Sequence, residues 1–350
     1  MICGDDSLHN GSMHMEYRKL GNSGIKVSPI CLGTMMFGER TDAAEAGRIV
    51  DSARAAGINF IDTADAYAKG ESERVTGKLI STDREQWVLA TKVGNAMGKG
   101  PNESGLSRGW MMRAIDASLR RLNTDWVDIY YLHLDDPSTP IEETLVAMGE
   151  IIGAGKARYF GVSNYRAWRI VQIAELCDKL GVPAPIVCQP YYNAMNRMPE
   201  TEILPACHDY GMGVVPYSPL ARGVLTGKYA PGQAPAADTR AGHKDKRMME
   251  TEFREESLAM AQTFKAHAEQ RGRSAGQFAL NWVLNNRIVT SVLAGPRTFE
   301  QWTEYLGALK HRFSAEDEAL VDSLVKSGHP STPGFNDPRY PIAGRPTYSS

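Results

Sequence analysis

The chain has 350 residues, of which 42% are hydrophobic and 23% charged, and its formal net charge is -2. This is the composition of an ordinary globular protein, and one large barrel of alternating strands and helices can hold a chain of this length as a single domain. A net charge so close to zero predicts neither a nucleic-acid nor a membrane partner, and the apolar stretches are too often interrupted by charges to span a bilayer.

The start of the chain and its cysteines indicate where the protein resides. Residues 1–14 lack the basic and then apolar order of a secretion signal, and we interpret them as a disordered or vector-derived extension. The five cysteines are scattered and form no Cys-x-x-Cys pair. Such a set is typical of a reducing compartment, which predicts a cytoplasmic protein. The commonest zinc-hydrolase spacings of histidine are also missing.

Short β-branched runs alternate with longer amphipathic stretches along most of the chain, which predicts parallel strands joined by crossover helices. Before them, residues 17–27 predict a β-hairpin that would plug the closed end of a barrel. Strands are predicted at residues 30–32, 59–62, 87–93, 127–132, 159–162, 186–189, 213–217 and 289–294. Eight strands close a (β/α)8 TIM barrel, which we expect over residues 15–326.

Helices between these strands follow from apolar residues at helical spacing. They are predicted at residues 41–56, 107–122, 278–284 and 314–326. A capping box of Ser274 and Gln277 precedes the third of them.

Two segments do not belong to a minimal barrel. Residues 221–251 form a long polar loop after strand seven, and loops of this length are usually functional or disordered. Residues 327–350 contain five prolines and predict an irregular C-terminal tail. We expect both segments to lie near the open mouth of the barrel.

Polar residues end the predicted strands on the side where a TIM barrel carries its active site. Asp62 ends strand two and is followed by Tyr67, Lys92 ends strand three, and His133 ends strand four. Alone, each would more often be a helix cap, a half-buried aromatic ring, an ion-pair partner or a core histidine. Together, on three neighbouring strands, they predict a site that protonates a carbonyl oxygen as hydride reaches the carbon.

Within that site, Tyr67 is the predicted acid, and Lys92 is expected to lower a phenolic pKa that is about 10 when unperturbed. Asp62 would hold Lys92 charged, and His133 would orient the carbonyl oxygen. The pocket for the substrate is predicted to include Tyr67 and His133 together with Met35, Met36, Phe37, Val93, Asn95, Leu134 and parts of the tail. These walls predict an apolar slot with no arginine clamp for a phosphorylated or carboxylated substrate.

The chain resembles the aldo-keto reductase family over residues 17–326, through motifs that occur in the family's order at successive strand ends. The matching stretches include Phe60-Ile-Asp-Thr-Ala-Asp-Ala-Tyr67, Ala90-Thr-Lys-Val93, Asp128-Ile-Tyr-Tyr-Leu-His133, Gln189-Pro-Tyr-Tyr-Asn193, Pro216-Tyr-Ser-Pro-Leu220 and Gly295-Pro-Arg-Thr298. The resemblance implies reversible reduction of a small aldehyde or ketone with NADP(H) rather than NAD(H). It also implies that Asp62, Tyr67, Lys92 and His133 are the catalytic residues.

The same resemblance implies how the cofactor is held. Ser163, Asn164 and Gln189 correspond to contacts with the carboxamide, and Tyr217 corresponds to the ring that stacks on the nicotinamide. The other implied cofactor positions are Gly33, Thr34, Asp62, Ser218, Leu220, Arg222, Gly295, Arg297, Thr298 and Gln301. Because a guanidinium suits a phosphate, Arg297 with Thr298 predicts the preference for NADP(H).

Two positions depart from the family's pattern. Ala68 stands where a glycine follows the tyrosine, and Tyr305 stands where many members carry the asparagine that holds the adenine. A cofactor-sensing regulatory subunit, similar to the channel β-subunits that share the fold, is an alternative function. A metal-dependent barrel hydrolase is a further alternative on Asp62 and His133 alone. The protein is expected to be a monomer or a homo-oligomer.

Overall fold

The computed structural model describes residues 15–342 and residue 344, so the expected N-terminal extension and the end of the tail lie outside the described residues. Eight parallel strands form one curled sheet in the order β10-β3-β4-β5-β6-β7-β8-β9. They are β3 Ile30–Gly33, β4 Phe60–Asp62, β5 Val88–Val93, β6 Val127–Leu132, β7 Ala157–Ser163, β8 Val187–Gln189, β9 Gly213–Val214 and β10 Val292–Ala294. Each overlaps its predicted range, and the predicted (β/α)8 fold is confirmed.

The two edges of the sheet meet between β9 and the residues around β10. Val214 forms a parallel bridge with Val289, and the N–H of Leu293 donates to the carbonyl of Pro216 at 2.9 Å. These bonds close the barrel. Strand β9 is shorter than predicted because Pro216 has no N–H to donate to a ladder.

Helices cover the outside of the barrel. They are α1 Ala43–Ala55, α2 Glu71–Ile80, α3 Arg108–Leu122, α4 Ile141–Gly153, α5 Ala167–Leu180, α6 Ile203–Asp209, α7 Lys246–Thr251, α8 Glu255–Gln270, α9 Ala275–Asn285, α10 Phe299–Ala308 and α11 Ala315–Leu324, with 3-10 turns at Tyr67–Gly70, Arg84–Gln86, Met198–Glu200 and Ala221–Thr226. The predicted capping box opens α9, because Ser274 Oγ accepts from the Gln277 N–H and Gln277 Oε1 accepts from the Ser274 N–H.

Side chains alternate along the strands between two cores. Ile30 and Leu32 join the larger core packed between sheet and helices. Cys31, between them, joins a smaller core inside the barrel that also includes Phe60 and Ala90. This two-residue period is what a parallel sheet covered on one face by helices and closed on itself requires.

The N-terminal hairpin closes the bottom of the barrel. Its strands, β1 Arg18–Lys19 and β2 Lys26–Val27, are antiparallel, and Leu20 belongs to the inner core. Gly21 has φ +54, and a Cβ there would stand 2.4 Å from the carbonyl oxygen of Ile186. Only glycine therefore allows the hairpin to lie this close to the strand starts.

The insertion and the tail differ from their predictions in one respect. The insertion is not wholly a loop, because a 3-10 turn at Ala221–Thr226 opens it and α7 ends it. The described part of the tail contains no helix or strand, as its prolines predict. Asp337 of the tail is ion-paired with Arg247 of α7, so the two segments are held together.

Two further observations concern the described part of the chain. None of its helices is long and apolar enough to cross a membrane. Four of the five cysteines lie in it, all of them buried and free: Cys31, Cys177, Cys188 and Cys207.

Candidate active site

Side-chain alternation decides which residues meet at the carboxyl ends of the strands. Phe60 and Ala90 belong to the inner core, and side chains two positions further along a strand face the same way. Asp62 and Lys92 are therefore directed inward at the top of β4 and β5. His133 follows β6 and lies an even number of positions after the inward-facing residues of that strand, so it is directed to the same side. The sequence prediction that these three side chains share one end of the barrel agrees with the structure.

Lys92 is the centre of a buried polar group. It forms an ion pair with Asp62 in which the two side chains are 0% and 1% exposed. Its Nζ also donates to the carbonyl oxygen of Thr63 at 2.7 Å and lies 3.3 Å from the hydroxyl of Tyr67. The second carboxylate oxygen of Asp62 accepts from Gln189 Nε2 at 3.0 Å. Both carboxylate oxygens of Asp62 therefore accept from a side-chain donor, which fixes the orientation of the carboxylate.

Burial raises the pKa of Tyr67, and the Lys92 ammonium opposes that rise. Lys92 thus acts in the predicted direction, but the net shift is upward because loss of water around the phenolate is the larger effect. Burial alone would lower the pKa of Lys92, yet Asp62 and Tyr67 raise it overall. The site therefore holds an ammonium ion beside a protonated phenol at neutral pH.

His133 lies beside Tyr67 with its imidazole ring edge-on, the two ring centres being 5.8 Å apart. Burial lowers the pKa of His133 well below its ordinary value, and the charges of Lys92 and Arg339 add to the effect. The imidazole is therefore neutral and can donate a hydrogen bond from one ring nitrogen only. Asn95 Nδ2 lies 2.9 Å from Nδ1 of this ring.

The residues implied to hold the carboxamide form one network beside this group. Asn164 Nδ2 donates to the carbonyl of His133 at 2.9 Å and to Ser163 Oγ at 3.1 Å. The hydroxyl of Tyr217 donates to Asn164 Oδ1 at 2.7 Å. The ring of Tyr217 stacks on Tyr191, a residue that the sequence did not single out. An aromatic face is thus fixed close to polar amides.

A cavity of about 770 Å³ connects these residues with the last strand end. Its walls include most of the sequence-predicted positions: Gly33, Met35, Met36, Tyr67, His133, Ser163, Asn164, Gln189, Tyr217, Ser218, Leu220, Arg222, Gly295, Arg297 and Gln301. Asp62 and Lys92 lie behind Tyr67, fully buried.

Several predicted positions are not brought to this cavity. Phe37 and Val93 are buried in the core between sheet and helices, so they do not form walls of the substrate pocket. Thr34 is also buried, and its hydroxyl donates to the carbonyl of Asp62 at 3.1 Å. Thr298 caps α10 by accepting from the Gln301 N–H and lines a neighbouring cavity of about 680 Å³. Leu134 follows His133 but lines neither cavity.

Positive charge dominates the walls of the 770 Å³ cavity. Seven side chains there are cationic, namely Arg40, Arg222, Lys228, Arg240, Arg247, Arg297 and Arg339, and three are acidic, namely Asp238, Asp245 and Glu304. Arg222 is ion-paired with Glu252. Arg240 is half-buried, and no carboxylate of the described residues forms an ion pair with it. Burial and the charge of Arg222 lower the pKa of Arg240. The excess of cationic side chains in these walls fits a bound phosphate.

Comparison with known proteins identifies the family. The model of the Aldo/keto reductase family matches residues 29–326. The chain belongs to this family. A probable voltage-gated potassium channel subunit beta from Oryza sativa subsp. japonica is 38% identical over 300 residues, covering 84% of this chain and 91% of the relative. L-glyceraldehyde 3-phosphate reductase from Escherichia coli O157:H7 is 35% identical over 324 residues, covering 90% and 93%. Oxidoreductases are therefore among its relatives.

The chain accommodates its two departures from the family pattern differently. Ala68 has φ 47 and Lys69 has φ 54, so both adopt the left-handed conformation that glycine tolerates best. Tyr305 lines the cavity beside Glu304 and Arg240, where it offers an aromatic face in place of an amide.

The sequence predicts no arginine clamp in the substrate pocket, and it did not indicate the arginine that the tail brings to the cavity. Arg339 of the tail lines the cavity together with Tyr340. Arg240 of the insertion was missed as well. No spacing in the sequence could have indicated either residue, because both lie in irregular segments that packing alone brings to the mouth of the aldo/keto reductase barrel.

Proposed function

We propose that this aldo/keto reductase reduces small aldehydes or ketones, reversibly, with Tyr67 as the proton donor. The observation that carries the proposal is the contact of the Tyr67 hydroxyl with Lys92 Nζ at 3.3 Å, in a cavity whose walls also include His133. NADPH, when bound, supplies the hydride. Tyr67 and His133 hold the carbonyl oxygen between two donors, and Asp62 keeps Lys92 charged behind the phenol.

The cofactor would lie along the cavity between Tyr217 and Arg297. Ser163, Asn164 and Gln189 offer hydrogen bonds to the carboxamide, while the ring of Tyr217 offers a flat apolar face. The cationic walls between them, Arg240 above all, balance the charge of the phosphates. The fit of these groups to NADP(H) supports the proposal.

Tyr67→Phe tests the proton donor. The variant keeps the ring and loses only the hydroxyl, so affinity for NADPH should survive while turnover of carbonyl compounds falls at least ~10²-fold. NADPH oxidation should be followed with a panel of aldehydes, ketones and sugars, with and without phosphate groups, since Arg339 lies in the cavity. A variant with nearly native rates would remove Tyr67 from the mechanism.

Arg297 is proposed to set the preference for NADPH over NADH. Its backbone N–H donates to Gln301 Oε1 at 2.8 Å, and one nitrogen of its guanidinium lies 3.3 Å from the carbonyl of Asp238. The other N–H groups of the guanidinium remain as donors for a ribose phosphate. Charge-assisted bonds are worth about 1.5–3 kcal/mol each, enough for one or two decades of affinity. Arg297→Ala should weaken NADPH and spare NADH in direct titrations, and equal weakening of both would contradict this role.

A cofactor-sensing regulatory subunit is the second candidate. It is favoured by the rice relative and by a protein of the same description from Arabidopsis thaliana, which is 38% identical over 300 residues. Purification would distinguish the two functions. A stable partner of different sequence, combined with no measurable turnover on the carbonyl panel, would support the regulatory role over the enzymatic one.

A further inference from the structure

Asn95 links the C-terminal tail to the histidine of the site. Asn95 follows β5 in the chain, whereas Arg339 lies near the end of the tail. One guanidinium nitrogen of Arg339 donates to Asn95 Oδ1 at 2.9 Å, and Asn95 Nδ2 lies 2.9 Å from His133 Nδ1. The three side chains therefore form a continuous chain of hydrogen bonds from the mouth of the barrel to the imidazole.

The chemistry of Arg339 fixes the direction of every bond in this chain. A guanidinium has N–H donors and no acceptor, so the atom of Asn95 that it contacts must be the amide oxygen. The other end of that amide is then NH2, which can only donate. His133 Nδ1 must therefore accept, and in a neutral imidazole the proton is left on Nε2.

We propose that Asn95 is a positioning residue that holds His133 in the Nε2–H tautomer, and that Arg339 of the tail fixes the orientation of Asn95. The proposal rests on the proposed function, because the Nε2 proton matters only where a carbonyl oxygen has to be held. A neutral imidazole with the opposite tautomer would present a lone pair to that oxygen and repel it.

The tail is built to keep Arg339 in this place. On one side, Asp337 forms an ion pair with Arg247 of the insertion and its carboxylate accepts from the N–H of Arg339 at 2.9 Å. On the other side, Arg166 donates to the carbonyls of Tyr340 and Pro341 at 2.6 and 3.2 Å. Docking of the tail thus completes the hydrogen bonding of the site.

Burial and the charged groups that face His133 keep its ring neutral, so the property that can change is which ring nitrogen carries the proton. Lys92 of β5 and Arg339 of the tail both disfavour an imidazolium. Tyr67, from the turn after β4, meets the ring edge-on as a neutral phenol, and Asn95 and Asn164 are uncharged. A neutral ring among these groups changes function only by moving its proton between nitrogens.

Long-range ¹⁵N–¹H spectra of the imidazole rings read the tautomer directly, without any turnover. A His133→Gln variant assigns the signals of this residue among the eight histidines. We expect the native His133 to carry its proton on Nε2 and to stay neutral well into acidic pH. A native Nδ1–H tautomer would overturn the proposal.

Asn95→Asp reverses the polarity of the central bond, because a carboxylate accepts from both neighbours. His133 should then carry a proton on Nδ1, and it should become an imidazolium at a higher pH than in the native protein. The rate would fall as pH rises through the new imidazole pKa, where Nε2 loses its proton, to about 10- to 100-fold below native. An unchanged tautomer and pH profile would overturn the role of Asn95.

Two substitutions of Arg339, one that removes the donor and one that keeps it, test its role. In Arg339→Ala the amide of Asn95 is free to turn, so the ¹⁵N spectra should show a mixture of tautomers and kcat should fall about 2- to 10-fold, as expected for one neutral hydrogen bond. Arg339→Lys, which keeps a donor without acceptors, should restore both. Asn336→Ala is the control that should change neither: it lies in the same exposed stretch, and among the described residues its side chain bonds only to Gly334.

The outcomes separate this inference from the proposed function. A pure Nε2–H tautomer in Arg339→Ala would overturn the role of the tail, whatever the activity. Tautomer shifts as expected in a protein that reduces no carbonyl compound would support the hydrogen-bond chain and overturn the proposed enzymatic function instead.

Discussion

Two buried aspartates three residues apart, Asp62 and Asp65, lie in opposite environments. Both carboxylate oxygens of Asp62 have partners, in Lys92 and Gln189. Neither oxygen of Asp65 has a hydrogen-bond partner of good geometry within the described residues, and burial, with a smaller effect of Glu73, raises the pKa of Asp65 to about 8. Burial also raises the pKa of Asp62, but Lys92 and Gln189 oppose that rise, whereas Asp65 lacks such strong opposition.

The backbone around Asp62 is also more regular than the backbone that follows Asp65. Asp62 ends a regular strand that pairs on both sides, whereas Asp65 leads into the turn of Tyr67, where Ala68 and Lys69 are left-handed. The segment that carries the proposed acid therefore combines an unpaired carboxyl with a strained backbone. Such features are found where the surrounding structure holds them for a function.

Lys92→Met would make Asp62 resemble Asp65, and it should have the largest effect. The phenol of Tyr67 loses the ammonium that opposes the rise of its pKa, so turnover should fall ~10²-fold or more and the pH profile should move to higher pH. The buried carboxylate left behind should also destabilise the fold by about 3–5 kcal/mol. An unchanged pH profile would mean that Lys92 does not tune the acid.

Asp65→Asn removes the unpaired carboxyl and should stabilise the protein at higher pH. The folded pKa of about 8 lies above the unfolded value, so the native protein holds a proton that the unfolded chain releases. Its stability is full below about pH 4 and is lost as pH rises to about 8. By pH 8 the variant should exceed the native protein by about 2–5 kcal/mol, given about 1.4 kcal/mol for each pKa unit.

Urea unfolding at pH 5 and at pH 8 measures this difference. Asp209→Asn, which makes the same substitution at an exposed position, is the matched control. If Asp65→Asn gave the same stability increment at both pH values, Asp65 would be ionised in the native state and the contrast with Asp62 would fail.

Ala68→Gly should have the smallest effect. A left-handed conformation costs an alanine about 1–2 kcal/mol, and the greater flexibility of unfolded glycine offsets part of the gain. We expect a net stabilisation of about 0.5–1 kcal/mol in thermal or urea unfolding, with activity preserved. A loss of stability would show that the turn of Tyr67 is not strained at this residue.

Sequence reasoning succeeded where a local pattern carries the information. The short β-branched runs mark the strands, and their ends mark where Asp62 and Lys92 lie. The capping box of Ser274 and Gln277 marks a helix start. The hairpin pattern of residues 17–27 marks the segment that closes the bottom of the barrel.

The sequence by itself determined the barrel and the four residues at its carboxyl end, because parallel strands bring their ends together wherever the intervening chain runs. Only the tertiary structure decided that Arg339 contacts Asn95 and that Phe37 is buried away from the cavity. It also decided that neither oxygen of Asp65 finds a well-placed donor among the described residues. Contacts between irregular segments produce no periodic pattern of residues in the sequence, so they cannot be predicted from it. The protonation of a carboxyl or phenol depends on how much water packing removes, and no local pattern encodes that quantity.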